Sequence, residues 1–299
     1  MTGAAPSPVW IALDWGTSNL RGWAMQGDRA LAQAQSDQGM GQLDQDAFEP
    51  ALHDLIAGWD VTPGTPVIAC GMVGSRQGWA EAAYRPVPCA PMDGTATQVK
   101  GSRLPVYILP GLNQANPADV MRGEETQIAG FIAQHPDWDG VICLPGTHTK
   151  WAQISAGEVV SFQTFMTGEM FALLSGQSVL RHSVSGTAWD SEAFDSAVSD
   201  ALAKPEKLAA RLFSIRASDL LNGTETATSR AQLSGALIGA ELAAARPYWL
   251  GTRIAIIGGE TQSAAYARAL TAQGAPATTH DATDMTLAGL TAAYRALMH

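Results

Sequence analysis

Leu13-Asp14-Trp15-Gly16-Thr17-Ser18-Asn19-Leu20-Arg21-Gly22-Trp23 and, close to half the chain later, Leu144-Pro145-Gly146-Thr147-His148-Thr149-Lys150-Trp151 are two versions of one design. In each, an apolar strand runs into a Gly-Thr turn of small polar residues and re-emerges as a second strand. Backbone N–H groups and hydroxyls therefore converge where a phosphate can sit. A phosphate-gripping turn used twice at this spacing predicts two similarly built domains, an N-terminal one over residues 1–138 and a C-terminal one over 139–299.

The composition agrees with two ordinary globular domains. The chain has 299 residues, 46% of them hydrophobic and only 15% charged, enough for two proper cores. A formal net charge of −10 leaves no broad basic field, which argues against nucleic acid or an anionic membrane as partner. Local N–H groups bind anions whatever the net charge, so a phosphorylated ligand is compatible with it. Cys70, Cys89 and Cys143 form no C-x-x-C pair and are odd in number, and two sit in apolar runs. Buried reduced thiols and a cytoplasmic location are the expectation. Met1 to Pro8 shows no basic region followed by an apolar stretch, and no apolar run approaches the ~18 residues of a membrane helix.

Along the chain, Val9–Asp14, Arg21–Gln26 and Ala30–Ser36 read as a three-strand meander. A helix over Asp46–Trp59 follows, then a short buried strand, Pro66–Cys70, ending in Gly71-Met72-Val73-Gly74-Ser75. Irregular sequence over Gly78–Arg103, a strand at Val106–Leu109, a loop over Pro110–Asp119 and a helix over Gly123–Gln134 complete the first half. The second half repeats the outline, with strands at Val141–Leu144, Trp151–Ile154 and Glu158–Phe165 and an amphipathic helix over Glu169–Leu180. Helical sequence fills Ser191–Arg246. The strand Arg253–Ile257 then stops at Gly258-Gly259, and helices over Thr261–Gln273 and Asp284–Met298 follow. A strand that ends in Gly-Gly and opens a helix is an anion or nucleotide signal, weak when taken alone. Neither a G-x-G-x-x-G fingerprint nor a G-x-x-x-x-G-K-[ST] loop is present, and no G-x-S-x-G or H-E-x-x-H supports a hydrolase.

Asp14 distinguishes the first turn from the second. A carboxylate beside a phosphate site is useful mainly when a divalent cation bridges the two, so the turns point to ATP with Mg2+ and to Asp14 as the group that faces the metal. Gly16, Thr17, Ser18 and Asn19 are the phosphate-facing candidates of the first turn. Gly146, Thr147, His148 and Lys150 are those of the second, with Gly258 and Gly259 at the third nucleotide element.

Asp14-x-Gly16-Thr17-x-x-x-Arg21, followed in order by the second turn and Ile257-Gly258-Gly259, resembles the nucleotide elements of the sugar kinases in the actin, Hsp70 and hexokinase superfamily. The fold this resemblance implies is α/β, two ribonuclease-H-like domains hinged around a cleft. More specifically, several segments resemble the 2-dehydro-3-deoxygalactonokinase family. They are Asp14–Arg21, Gly71–Ser75 with Gly78-Trp79, Val120–Gln127, Pro145–His148 with Lys150-Trp151, and Met166-Thr167-Gly168-Glu169. That resemblance implies ATP-dependent phosphorylation of 2-dehydro-3-deoxy-D-galactonate at its terminal hydroxyl, in galactonate breakdown.

The superfamily's proton acceptor sits at the N-terminus of the helix after the first domain's last strand. The resemblance therefore implies Glu124 or Glu125 as base, with Glu125 fitting better because small and amide side chains follow it; most superfamily kinases use Asp here. The substrate's carboxylate and keto group imply cationic or N–H donors, for which Arg21, Arg122 and the backbone of Gly71, Met72, Val73, Gly74 and Ser75 are candidates, and Glu169 is placed for a hydroxyl contact. A kinase of a different sugar or acid, an actin- or Hsp70-like ATPase, and a homodimeric assembly all stay open at this point.

Overall fold

The computed structural model describes residues 5–298, so the first four residues of the N-terminal stretch read above, and His299, lie outside it. Packing divides the chain into two compact units. Among the described residues, unit 1 contains 5–138, 155–161 and 282–298, and unit 2 contains 139–154 and 162–281.

Unit 1 opens with β1 (Trp10–Trp15), β2 (Leu20–Gln26) and β3 (Arg29–Ser36), an antiparallel meander. Helix α1 (Phe48–Leu55), β4 (Val67–Cys70), the two-residue strands β5 (Arg85–Pro86) and β6 (Thr97–Gln98), and β7 (Val106–Ile108) follow. The main sheet has the order β3-β2-β1-β4-β7-β6, with β4 parallel to β1 and β7 parallel to β4. Side chains of a strand alternate between faces. Ile11, Leu13 and Trp15 accordingly join Phe48 and Leu52 of α1 in one core, while Trp10 and Ala12 join Leu290 and Ala293 in another. Burial on both faces is why β1 reads as an almost unbroken apolar run.

The expected loop over Pro110–Asp119 is instead a hairpin of β8 (Leu112–Ala115) and β9 (Ala118–Met121), which with β5 makes a separate three-stranded sheet. Only Leu112 and Met121 of this hairpin are buried, so it carries too little apolar alternation to be read as strand. It delivers the chain to α2 (Glu124–Gln134).

Unit 2 repeats the plan. Strands β10 (Gly140–Leu144), β11 (Thr149–Ser155) and β12 (Glu158–Phe165) lead to α3 (Thr167–Gly176), α4 (Ser191–Ala203), α5 (Leu208–Asn222), α6 (Thr226–Ala244) and the short α7 (Arg246–Trp249). Strand β13 (Ile254–Gly258), α8 (Glu260–Ala272) and β14 (Ala277–Asp281) complete it. The sheet order β12-β11-β10-β13-β14, with β13 parallel to both neighbours, matches the β3-β2-β1-β4-β7 order of unit 1. Both units therefore have the ribonuclease-H-like plan: a three-strand meander flanked by parallel strands.

Two expectations differ in unit 2. The helix read over Glu169–Leu180 is α3 plus a separate 3-10 turn, because the Ser178 hydroxyl accepts the Leu180 N–H and starts a new element. None of the α3 residues is buried, so it is not the amphipathic helix expected. Strand β14 is an element the sequence does not signal, since Ala-Thr-Thr-His-Asp at a sheet edge has no apolar pattern.

The last helix, α9 (Ala282–Met298), groups with unit 1 rather than with the C-terminal domain to which sequence order assigns it. Small residues explain the attachment. A Cβ on Gly130 of α2 would strike the Met285 carbonyl, and one on Gly289 would strike the Thr126 carbonyl. The two helices cross with backbones nearly touching, and Trp10 of β1 stacks on Tyr294 with ring centroids 4.5 Å apart.

Candidate active site

Asp14 is the penultimate residue of β1, paired in register with Arg21 of β2. The Arg21 guanidinium forms an ion pair with Asp14 Oδ2 and donates from Nη1 to Thr283 Oγ1 at 3.0 Å. Arg21 is thus committed to orienting the acid. Gly16 N–H donates to Asn19 O at 2.9 Å and closes the turn, leaving Thr17, Ser18 and Asn19 exposed. The chain after β3 braces this turn from behind: Met40 N–H donates to Gly16 O and Gly41 N–H to Thr17 O, both at 2.9 Å. Any Cβ at Gly39 would fall into the backbone of Thr17–Asn19.

Two other chain segments, the end of β4 and the residue before α2, meet near Asp14. Gly71, at the end of β4, has φ +92°, and a Cβ there would lie 2.8 Å from Trp15 O and 3.5 Å from Asp14 Oδ1. A Cβ on Gly123, just before α2, would lie 3.5 Å from the Gly71 Cα. Cys70 Sγ is 3.9 Å from Asp14 Oδ1. Burial first, then the Asp14 and Glu125 carboxylates, push its thiol well above the usual range. Of the expected Gly71–Ser75 cradle, the Gly74 N–H is spent on Gly71 O at 3.2 Å and the Ser75 N–H on Met72 O at 2.9 Å. The segment is a 3-10 turn that uses these donors internally.

Glu125 lies in the first turn of α2, 1% exposed. Gly123 N–H donates to both of its oxygens at 2.9 and 2.7 Å, and Thr126 Oγ1 donates to Oε1 at 3.1 Å. Burial, then the neighbouring Glu124, raise its pKa from 4.5 to about 8, against the opposing effect of these hydrogen bonds. Glu124 is half-buried and accepts the Arg122 N–H at 3.1 Å. The Arg122 side chain is itself buried, with Nη2 donating to Ala82 O at 2.7 Å and its guanidinium 4.3 Å from the Tyr84 ring centroid.

In unit 2 the second turn is braced in the same way as the first. Glu169 N–H donates to Thr147 O at 2.9 Å, and a Cβ on Gly168 would strike Gly146 O. Glu169 Oε2 also accepts from His148 Nε2 at 2.6 Å, so this glutamate belongs to the second turn. Thr147 and His148 are exposed; Lys150 is buried and donates to His148 O at 3.2 Å, supporting the turn from within. Gly258 ends β13 and Gly259 caps α8, the expected strand-to-helix turn.

Sequence reading missed Gly39 and also Glu241 of α6. Glu241 is 4% exposed and accepts from Trp151 Nε1 at 2.8 Å, from Tyr266 OH at 2.7 Å and from Thr167 Oγ1. Tyr266 OH in turn is 3.1 Å from Thr149 Oγ1. Residues of β11, α3 and α8 thus converge on one carboxylate, and burial raises its pKa against those bonds. A lone Glu in a helical run gave no signal, but a glycine shortly after the third strand of each meander would have marked both braces. A cavity of about 360 Å³ bounded by α4, α5 and α6 holds none of these residues; it is a groove between packed helices.

Two ribonuclease-H-like units, each opening on a braced Gly-Thr turn and one carrying acids at β1 and α2, define the class: a sugar kinase of the actin-like fold. Comparison with known proteins narrows the class. The family model described as 2-keto-3-deoxy-galactonokinase matches residues 14–293, and the chain belongs to that family. A Rhizobium meliloti protein described as a candidate 2-dehydro-3-deoxygalactonokinase is 39% identical over 96% of this chain and 97% of its own length. The Escherichia coli 2-dehydro-3-deoxygalactonokinase is 36% identical over 90% of this chain and 91% of its own. A Sinorhizobium meliloti crystal structure of the same description superposes with a TM-score of 0.92 at 38% identity, covering 97% of this chain and 99% of that one. The Clostridium difficile activator of 2-hydroxyisocaproyl-CoA dehydratase shares the fold alone, with a TM-score of 0.54 and 11% identity over 96% of this chain and 94% of that one.

Proposed function

We propose that this protein transfers the γ-phosphoryl group of ATP to the terminal 6-hydroxyl of 2-dehydro-3-deoxy-D-galactonate. The observation that carries the reading is the coexistence of two equivalently braced Gly-Thr turns with a buried acid at the start of α2, in a chain of this family. In the reaction the sugar O6 forms a bond to Pγ while the bond from Pγ to the departing ADP oxygen breaks, and the hydroxyl proton passes to a carboxylate. Glu125 is the proposed acceptor, because its raised pKa suits proton abstraction near neutral pH. Thr17, Ser18 and Asn19 are the proposed phosphate donors of the first turn, Thr147 that of the second, and Gly258-Gly259 the proposed adenosine-side turn.

Mg2+ belongs to this proposal. It takes one or two protein carboxylates and the rest of its shell from phosphates and water. A single partly exposed aspartate at a strand end fits that demand, and no cluster of three or more His, Cys, Asp or Glu among the described residues offers a protein-only cage. When bound, the ion neutralises phosphate charge. Arg21 holds Asp14 by Oδ2, which fixes the acid's orientation.

A cytoplasmic enzyme is also proposed, supported by three free cysteines. No helix among the described residues is long and apolar enough to cross a membrane. A homodimer is supported by Phe213, Leu220 and Leu221, exposed on α5.

The test is a coupled assay with ATP and either Mg2+ or chelator, over 2-dehydro-3-deoxygalactonate, its C4 epimer and neutral hexoses. Formation of the 6-phosphate only with Mg2+ is expected. Good turnover of a hexose with none of the acid overturns the substrate, and equal ATP hydrolysis without any sugar points to an ATPase cycle instead.

A further inference from the structure

Arg122 is an arginine without a counter-charge in a place where arginines need one. It is 8% exposed and takes part in no ion pair among the described residues. Its side chain donates from Nη2 to the Ala82 carbonyl, while Nε and Nη1 find no hydrogen-bond partner among the described residues. Tyr84 offers its ring face, 4.3 Å from the guanidinium carbon. The surroundings are shaped to admit the group, since a Cβ on residue 74 would stand 2.9 Å from Nη1. A guanidinium kept only for folding would be matched by a carboxylate or replaced by an apolar side chain, because burying an uncompensated charge is unfavourable.

Arg21 presents the contrasting case. It is the other cationic candidate, yet its charge is already met by Asp14.

The geometry points to Arg122 as the residue that reads the carboxylate of the sugar acid. This rests on the kinase reading above and deepens it by naming what separates an acid from a neutral sugar. Arg122 lies three residues before Glu125, at the hinge between β9 and α2. Binding of the carboxylate supplies the acceptors that the protein itself withholds, and a neutral sugar leaves them unmet.

The experiment compares wild type, Arg122→Met and Arg122→Lys on two substrates: 2-dehydro-3-deoxygalactonate and the analogue with hydroxymethyl in place of the carboxylate. Each is assayed for kcat/KM, for KM of ATP and for melting temperature. Wild type is expected to prefer the acid strongly, and Arg122→Met to lower kcat/KM for the acid by roughly 10²-fold or more, collapsing the acid-to-neutral ratio. Its KM for ATP should stay within about twofold, its melting temperature should not fall, and methylguanidinium should restore part of the acid activity. Arg122→Lys keeps the charge without the planar fork and should fall between the two. Equal losses on both substrates, or an undiminished kcat/KM for the acid in either variant, overturn the assignment. If Arg122→Met unfolds, the acid-to-neutral ratio of Arg122→Lys decides alone, an unchanged ratio counting against it. A wild type inactive on the acid overturns the reaction itself, which is a separate result.

Discussion

Glu125 combines burial with hydrogen bonds that a neutral glutamine could largely keep, so its charge can be tested apart from its shape. With a pKa raised to about 8, the ionised form needed for proton abstraction accumulates as pH rises, and kcat/KM should climb through that range and level above it. Glu125→Gln should cut turnover by roughly 10²-fold or more while leaving KM for ATP nearly unchanged. Glu124→Gln should cost far less, since adjacent helical residues point about 100° apart. The reverse order would move the base to Glu124. Stability supplies an independent check. The folded pKa lies above the unfolded value near 4.5, so the protonated carboxyl's contribution is fully present below that value and is lost as pH rises toward about 8. A tenfold difference in proton affinity between folded and unfolded chains is worth about 1.4 kcal/mol, so the loss is large enough to measure. The melting temperature of Glu125→Gln should therefore gain on wild type between about pH 5 and pH 9. A difference that is flat with pH would mean that water reaches the carboxyl in the folded protein.

At the scale of elements, each unit makes its turn twice over, once from the strand-to-strand connection and once from a glycine-bearing segment that follows the third strand. Gly39 against Thr17–Asn19 and Gly168 against Gly146 are equivalent positions of one repeated device. Adding one methyl at either site forces backbone to move, at a cost of about 1–3 kcal/mol. Gly39→Ala and Gly168→Ala should each raise KM for ATP by about tenfold or more, with KM for the sugar acid changed much less. Gly58→Ala, where a Cβ meets nothing within 4 Å, is the matched control and should behave as wild type. If the two brace variants keep their ATP affinity, the turns do not hold the phosphates.

On the scale of the whole chain, the C-terminal helix is a structural part of unit 1 although it is last in sequence. Leu290 and Ala293 are 0% exposed and close the sheet face that carries Trp10, Trp23 and Ile68. Leu290→Ala should cost about 2–5 kcal/mol, read as a lower urea midpoint. Because this helix packs on α2, the same variant should impair turnover before it unfolds the protein. A loss below about 1 kcal/mol would show the helix to be peripheral.

Local sequence determined the meanders, the two Gly-Thr turns, β4, α2 and the strand-to-helix turn at Gly258-Gly259, because each is specified by nearest-neighbour chemistry: apolar alternation, turn residues and helix starts. It also brought Asp14, Glu124, Glu125 and Arg122 to notice by their places at element ends. What it could not carry were relations between residues far apart in the chain. The commitment of Arg21 to Asp14, the convergence of Trp151, Thr167 and Tyr266 on Glu241, and the return of Ala282–Met298 to unit 1 depend on which surfaces meet. The same holds for the β8–β9 hairpin and for β14, whose residues lack a buried apolar alternation and find their strand conformation because neighbouring strands supply hydrogen bonds. Tertiary packing alone decided which of two similar arginines kept its charge unmatched, since pairing is a property of the space around a side chain and not of its neighbours in sequence.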